Sequence, residues 1–268
     1  MNHSDSIKMI FIILFSSVLA EAQYKPFIIG GQEVVLESEI AKSTVLINGK
    51  IARASFTCTG VIYSQNLILT AGHCLGAPGW AELKVFFGVN KKKPGQSIKV
   101  IRQIRMANIP THSPPYDWQD LALLKLEKPI PEEYIQANIA MNDPDLRDGE
   151  EVIMAGYGVT TADSKYRGDG GAGVLRAVSQ KIISAQYGNT EIRVDNANKG
   201  ACNGDSGGPL FVQRGNQLLT VGITSRMSSR NIVPGSMPVR YECRVDMIYT
   251  QIFAHRDWLE KVAQQMMQ

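Results

Sequence analysis

Apolar and alternating runs too short for helices recur between clusters of Gly, Pro, Asp and Asn, and this rhythm restricts the chain to an all-β fold. The first group of runs covers 44–47, 60–63, 67–70, 83–87, 98–104 and 121–126. A Pro- and Asp-rich stretch, 128–149, separates it from a second group at 151–155, 174–183, 191–194, 209–212, 218–224 and 248–253. Two groups of about six strands imply two sheets, and short strands with turn signals between them favour barrels or sandwiches. Within 98–104, Ile98, Val100 and Ile104 are interleaved with polar residues such as Lys99, which suits a half-buried strand. Only the tail reads helical. Across 254–267, Trp258, Leu259, Val262 and Met266 fall at helical spacing while Arg256, Glu260 and Lys261 fill the other faces. No internal sequence repeat relates the two groups.

The chain has 268 residues, enough for one large or two small domains with real cores. Its 28 Lys and Arg against 25 Asp and Glu are too evenly balanced to imply a nucleic-acid or acidic-surface partner. The basic cluster Lys91-Lys92-Lys93 before Pro94-Gly95 reads as a solvated hairpin tip. At the N-terminus, Lys8 precedes an apolar or small run from Met9 to Ala20, followed by the small-x-small pattern Ala20-Glu21-Ala22. This is the layout of a signal peptide over 1–22, and it predicts an exported protein, secreted or periplasmic. The run is shorter than the roughly 20 apolar residues needed to span a bilayer, and no later segment is longer or more apolar, so no stable membrane insertion is expected. Asp5 is atypical of a signal's basic start and leaves open a translation start at Met9.

Cysteine usage agrees with export. Four cysteines form an even set, two bridges suit an oxidising compartment, and sequence alone allows three pairings. The spacings lack paired Cys-x-x-Cys knuckles, so no metal is expected, and nothing in the chain calls for a cofactor.

The segment Cys202-Asn203-Gly204-Asp205-Ser206-Gly207-Gly208-Pro209 carries the strongest chemical signal. A serine flanked by glycines can leave neighbouring backbone N–H groups free for a developing oxyanion, which marks a nucleophile for acyl transfer. Such a serine needs a base and a carboxylate. Thr70-Ala71-Gly72-His73-Cys74 offers the base, and Asp120 at the head of Leu121-Ala122-Leu123-Leu124-Lys125-Leu126 offers the carboxylate. Asp117 competes for that role but sits beside a Pro-Pro-Tyr turn. The other histidines, His3, His112 and His255, lack such a context.

From Ile28 to the C-terminus the chain resembles the trypsin/chymotrypsin family of serine proteases. Besides the three segments just described, Ile28-Ile29-Gly30-Gly31 looks like that family's mature N-terminus, and Gly156-Tyr157-Gly158 stands where Gly-Trp-Gly is usual. The resemblance implies one peptidase domain over 28–268, built as two antiparallel six-stranded β-barrels (about 28–135 and about 146–253) with a C-terminal α-helix at about 254–267. It implies His73, Asp120 and Ser206 as the catalytic triad, with the N–H groups of Gly204 and Ser206 as the oxyanion hole. It pairs Cys58 with Cys74 and Cys202 with Cys243. It also implies a zymogen with pro-segment 23–27, in which cleavage before Ile28 frees an ammonium to pair with Asp205.

Several departures bear on specificity. Many relatives have Arg or Lys before the new terminus, but this chain has Phe27, and Lys25 is followed by Pro26. At the pocket floor a trypsin has Asp where this chain has Gly200, followed by Ala201. Ser225-Arg226-Met227 and Met247-Ile248-Tyr249 would form the pocket walls, with Asp246 as a negative wall if the register slips by one. Together these residues predict a non-tryptic, apolar preference. The stretch matching the calcium loop of some relatives, 85–95, has no acidic residue, so calcium is not expected there. The expected partners are protein or peptide substrates and a protein inhibitor, with the chain a monomer. The rival reading is a catalytically silent binding protein on the same scaffold.

Overall fold

A computed structural model describes residues 28–51, 54–75, 82–93, 95–106, 118–160, 170–228 and 243–268. The expected signal and pro-segment, including His3 and Phe27, lie outside these residues, as do His112 and Asp117.

The first group of runs forms β2 (Thr44–Ile51), β3 (Ala54–Ser64), β4 (Leu67–Thr70), β5 (Glu82–Phe87), β6 (Gln96–Arg105) and β7 (Ala122–Leu126). They close into an antiparallel barrel in the order β2-β3-β4-β7-β6-β5. Closure explains the two kinds of sequence pattern. Strand β4 is buried along its whole length and reads as continuous Leu-Ile-Leu-Thr, whereas β5 alternates exposed and buried positions before its buried end. Inside are Val45, Ile47, Val61, Ile68, Leu69 and Leu123, all fully buried.

The second group forms β8 (Glu151–Gly156), β9 (Arg176–Tyr187), β10 (Glu191–Val194), β11 (Pro209–Arg214), β12 (Gln217–Met227) and β13 (Met247–Gln251). Their order is β9-β10-β13-β12-β11-β8, and pairing of β8 with β9 closes a second barrel. The fold is therefore two six-stranded antiparallel barrels with a C-terminal helix, as the resemblance implied. The Pro- and Asp-rich stretch forms no strand. It crosses from one barrel to the other, with the Ala137 N–H bound to the Ile62 carbonyl and the Ala140 N–H to the Thr220 carbonyl.

Both ends of the domain cross over. Residues 28–33, expected with the first barrel, dock on the second: β1 (Gln32–Glu33) pairs with β9, and Ile28 lies in the second core. Helix α2 (Arg256–Met267), entered through a 3-10 turn at Phe253–His255, puts Leu259, Val262, Ala263 and Met266 into the first core. The basic hairpin tip is also not wholly solvated, because the Lys91 N–H donates to the Gly173 carbonyl at 2.8 Å. Helix α1 (Glu39–Ser43) is a single turn capped by Ser38, whose hydroxyl accepts from the Ala41 N–H at 3.2 Å.

Candidate active site

His73 lies in the 3-10 turn Gly72–Leu75 directly after β4, and Asp120 in the irregular segment before β7. Because β4 and β7 are neighbours, pairing Thr70 with Ala122, the two side chains meet at one end of the first barrel. The His73 Nδ1 is 2.7 Å from Asp120 Oδ2, and the His73 backbone N–H donates to Asp120 Oδ1 at 2.9 Å. Asp120 is fully buried while the His73 side chain is 39% exposed, so one ring nitrogen is fixed and the ring remains accessible. Burial disfavours the imidazolium, but the hydrogen bond and charge of Asp120 outweigh it and hold the His73 pKa above its ordinary value. Burial likewise pushes Asp120 upward, yet the bonds from His73 and Ser225 win and keep its carboxyl below the usual range.

Ser225 was expected in a pocket wall. Its hydroxyl donates to Asp120 Oδ2 at 2.7 Å, so the carboxylate is satisfied from both barrels. Nothing in the sequence links two residues so far apart, and only the folded neighbourhood of β12 reveals the contact.

The serine loop belongs to the second barrel and docks on the first. The Ser206 carbonyl accepts from the Thr59 N–H at 2.8 Å, and the Thr59 hydroxyl donates to the Gly204 carbonyl at 2.9 Å. Thr59 follows Cys58, which is bridged to Cys74 beside His73, so the disulfide and the serine loop share one anchor. The second bridge joins Cys202 to Cys243. A metal cannot use the Cys58, His73 and Cys74 cluster through thiolates, because both sulfurs are committed to the disulfide. Within the loop, the N–H groups of Asp205, Gly207 and Gly208 donate to the Cys202, Thr224 and Asp205 carbonyls. Among the described residues, no group accepts from the N–H groups of Gly204 or Ser206. Both residues are half-buried.

Asp205 is buried with its carboxylate packed against Gly156 and Gly158. Its Oδ1 accepts from the Gly158 N–H at 2.7 Å and its Oδ2 from the Cys202 N–H at 2.8 Å. A Cβ at Gly156 would lie 2.2 Å from Oδ1 and one at Gly158 2.3 Å from Oδ2, which accounts for the two glycines flanking Tyr157. Burial drives the Asp205 pKa up to about 7, against the pull of these two N–H groups and of the Arg176 charge. Arg176 is directly opposite Gly156 in the β8–β9 register and 3% exposed, so its side chain leaves the sheet on the Asp205 face. Ile28 is buried in the second core with φ 49°, a conformation that a β-branched residue rarely adopts.

The remaining residues expected in the pocket divide. The Gly200 N–H donates to the Ile29 carbonyl at 2.7 Å, tying the N-terminal segment to the expected pocket floor. A Cβ on Gly200, at φ 148°, would be 1.7 Å from Asn196 Oδ1, so this arrangement admits no side chain there. Asn196, which sequence reasoning missed, binds the Ala201 N–H and carbonyl at 2.7 and 3.0 Å and the Cys243 carbonyl at 2.6 Å. It ties Ala201 to Cys243 of the second disulfide. Met247 is 3% exposed and packed in the second core with half-buried Met227 opposite it, while Asp246 is bound by Arg193, whose Nε is 2.7 Å away. Asp246 is thus an ion-pair partner, not a bare negative wall.

The trypsin family model matches residues 28–244. Trypsin epsilon of Drosophila erecta is 26% identical over 89% of this chain and 88% of the relative. Brachyurin of Leptuca pugilator is 30% identical over 74% of this chain and 85% of the relative. Human granzyme M is 26% identical over 80% and 85% respectively. Two closed barrels, the paired His73 and Asp120, and a family match spanning both halves lead to one conclusion: the chain belongs to the trypsin family and is a trypsin-like serine endopeptidase.

Proposed function

We propose that peptide hydrolysis proceeds through Ser206, His73 and Asp120 and a covalent acyl-enzyme. The observation that carries this reading is the 2.7 Å His73–Asp120 contact beside a serine loop anchored to the same disulfide-bridged strand. In this mechanism His73 accepts the Ser206 hydroxyl proton as Oγ attacks the scissile carbonyl carbon, then delivers that proton to the leaving amine. Asp120, kept ionised, stabilises the imidazolium and fixes its tautomer. The N–H groups of Gly204 and Ser206 take the negative charge that develops on the carbonyl oxygen. Water, deprotonated by His73, then releases the acyl group.

The same reading makes the chain an exported zymogen. Cleavage before Ile28 would free an ammonium for Asp205, whose buried carboxylate otherwise has, among the described residues, two N–H groups and a nearby guanidinium to offset its burial. It would also relieve Ile28, since a terminal residue has no preceding carbonyl to clash with at φ 49°. Export is supported by the signal-like N-terminus and by two disulfides, which persist in oxidising compartments.

A fluorophosphonate probe should label the form beginning at Ile28 and fail on Ser206→Ala, which should also lose peptidase turnover by several orders of magnitude while remaining folded. Wild-type turnover in Ser206→Ala would overturn the assignment. Gly200 brings no charge and the nearby methionines are apolar, so a substrate library should show preference for small or medium apolar residues before the scissile bond, worth about 1 to 3 kcal/mol. Dominant cleavage after Lys or Arg would contradict it.

A further inference from the structure

Segment 118–121 lies outside any strand, so backbone pairing does not by itself set where Asp120 points. The second barrel grips this segment at two adjacent points. The first is the Ser225 hydroxyl on Asp120. The second involves a part-buried ion pair with no role in the triad. Glu191 of β10 is fully buried, and its Oε1 accepts the Trp118 backbone N–H at 3.1 Å. Arg226 of β12 grips both oxygens of that carboxylate, with Nη2 to Oε2 at 2.8 Å and a second bond from Nη1 to Oε1. The Trp118 ring covers the guanidinium, its centroid 4.5 Å from Cζ. Ser225 and Arg226 are consecutive in β12, so one stretch of strand holds both ends of 118–120.

A buried carboxylate costs several kcal/mol unless paired and hydrogen-bonded, and an apolar pair of equal volume commonly stabilises a fold as well or better. Stability alone therefore does not explain Glu191 and Arg226. What an apolar pair cannot supply is an acceptor for the Trp118 N–H. Among the described residues, Arg193, also on β10, binds Asp246, and Asp120 is held by His73 and Ser225.

We propose that Glu191 and Arg226 are positioning residues: they anchor the backbone of Trp118 to the second barrel and thereby fix the Asp120 carboxylate against His73. This rests on the triad reading above. The device makes catalysis sensitive to the seating of one barrel on the other, because the carboxylate that orients the base is itself oriented from across the interface.

The test uses the form beginning at Ile28. Replacing the pair by Glu191→Leu with Arg226→Leu removes the acceptor without leaving a lone charge. It should lower kcat by about 100-fold, the scale of a small misplacement of catalytic groups, with KM nearly unchanged. The acid limb of the pH profile should move to lower pH as Asp120 loosens its hold on His73. Glu191→Gln with Arg226→Met keeps an acceptor for Trp118 and should recover most of kcat and return the limb. Glu191→Asp keeps the charge for Arg226 but withdraws the acceptor by one methylene, so it should shift kcat and the limb in the same direction as the double leucine variant. Should the double leucine variant not fold, full kcat and an unmoved limb in Glu191→Asp would alone overturn the proposal. So would a rise in KM with kcat and the limb unchanged, or equal losses in the Leu/Leu and Gln/Met variants. Turnover surviving in Ser206→Ala would bring down the triad reading first, and this proposal with it.

Discussion

Asp120 and Asp205 are both fully buried, yet their surroundings drive them in opposite directions. Asp120 faces His73 and the Ser225 hydroxyl and stays low, while Asp205 has two backbone N–H groups and a more distant Arg176, and burial raises it to about 7. For Asp205 the linkage sign is clear. A carboxyl with a raised folded pKa contributes stability below its unfolded value of 3.8, and that contribution is lost as pH rises toward about 7. Pairing with a new ammonium at Ile28 would remove this loss. In a Ser206→Ala background, which prevents self-digestion, the Tm advantage of the form beginning at Ile28 over the uncleaved chain should widen between pH 5 and pH 7.5, by about 3 °C or more. An advantage equal at both pH values would dismiss the Ile28–Asp205 pairing. At this scale the sequence was legible where chemistry demands a residue type: it singled out His73 and Asp120, which the fold brings to 2.7 Å. Ser225, Asn196 and Glu191 were not legible, because their roles arise from partners brought together only by the closed barrels.

Among the elements, the strands were read well because burial imposes a pattern on them. Continuous apolar runs such as β4 and alternating ones such as β5 both follow from which faces the barrel covers. Two small elements escaped for physical reasons. Strand β1 holds its place by backbone pairing with β9 and its two residues are exposed, so it carries no apolar signal. Helix α1 has only five residues, too few to display a helical period. The disulfides act at this same scale. Cys202–Cys243 closes the loop that carries the serine motif at one end and joins it to the segment that Asn196 organises. Replacing both of its cysteines by alanine should destabilise the domain by about 2 to 5 kcal/mol in denaturant unfolding, with kcat reduced as the serine loop loses its tether. Stability within 0.5 kcal/mol of wild type, roughly the span of a neutral surface change, would show that Asn196 alone holds this segment.

Considered whole, the molecule exchanges its ends. Ile28 and β1 belong to the second barrel, and α2 seals the first, where Lys125 Nζ also caps the Met266 carbonyl and Arg102 Nη1 binds that of Gln265 at 3.1 Å. Deleting α2 should expose the first core and cost the domain its cooperative thermal transition, and even Leu259→Ala should cost about 2 to 5 kcal/mol. A truncated chain ending before Arg256 that melts as sharply as the full one would refute this. The exchange also sets an order on assembly as the chain is synthesised. The strands of the first barrel are complete once Leu126 has been made, but that barrel waits for residues made after every strand of the second. The first half therefore cannot finish ahead of the second, and a nascent chain stalled between the barrels should remain open to chaperones and proteases, however many of its strands have already been synthesised.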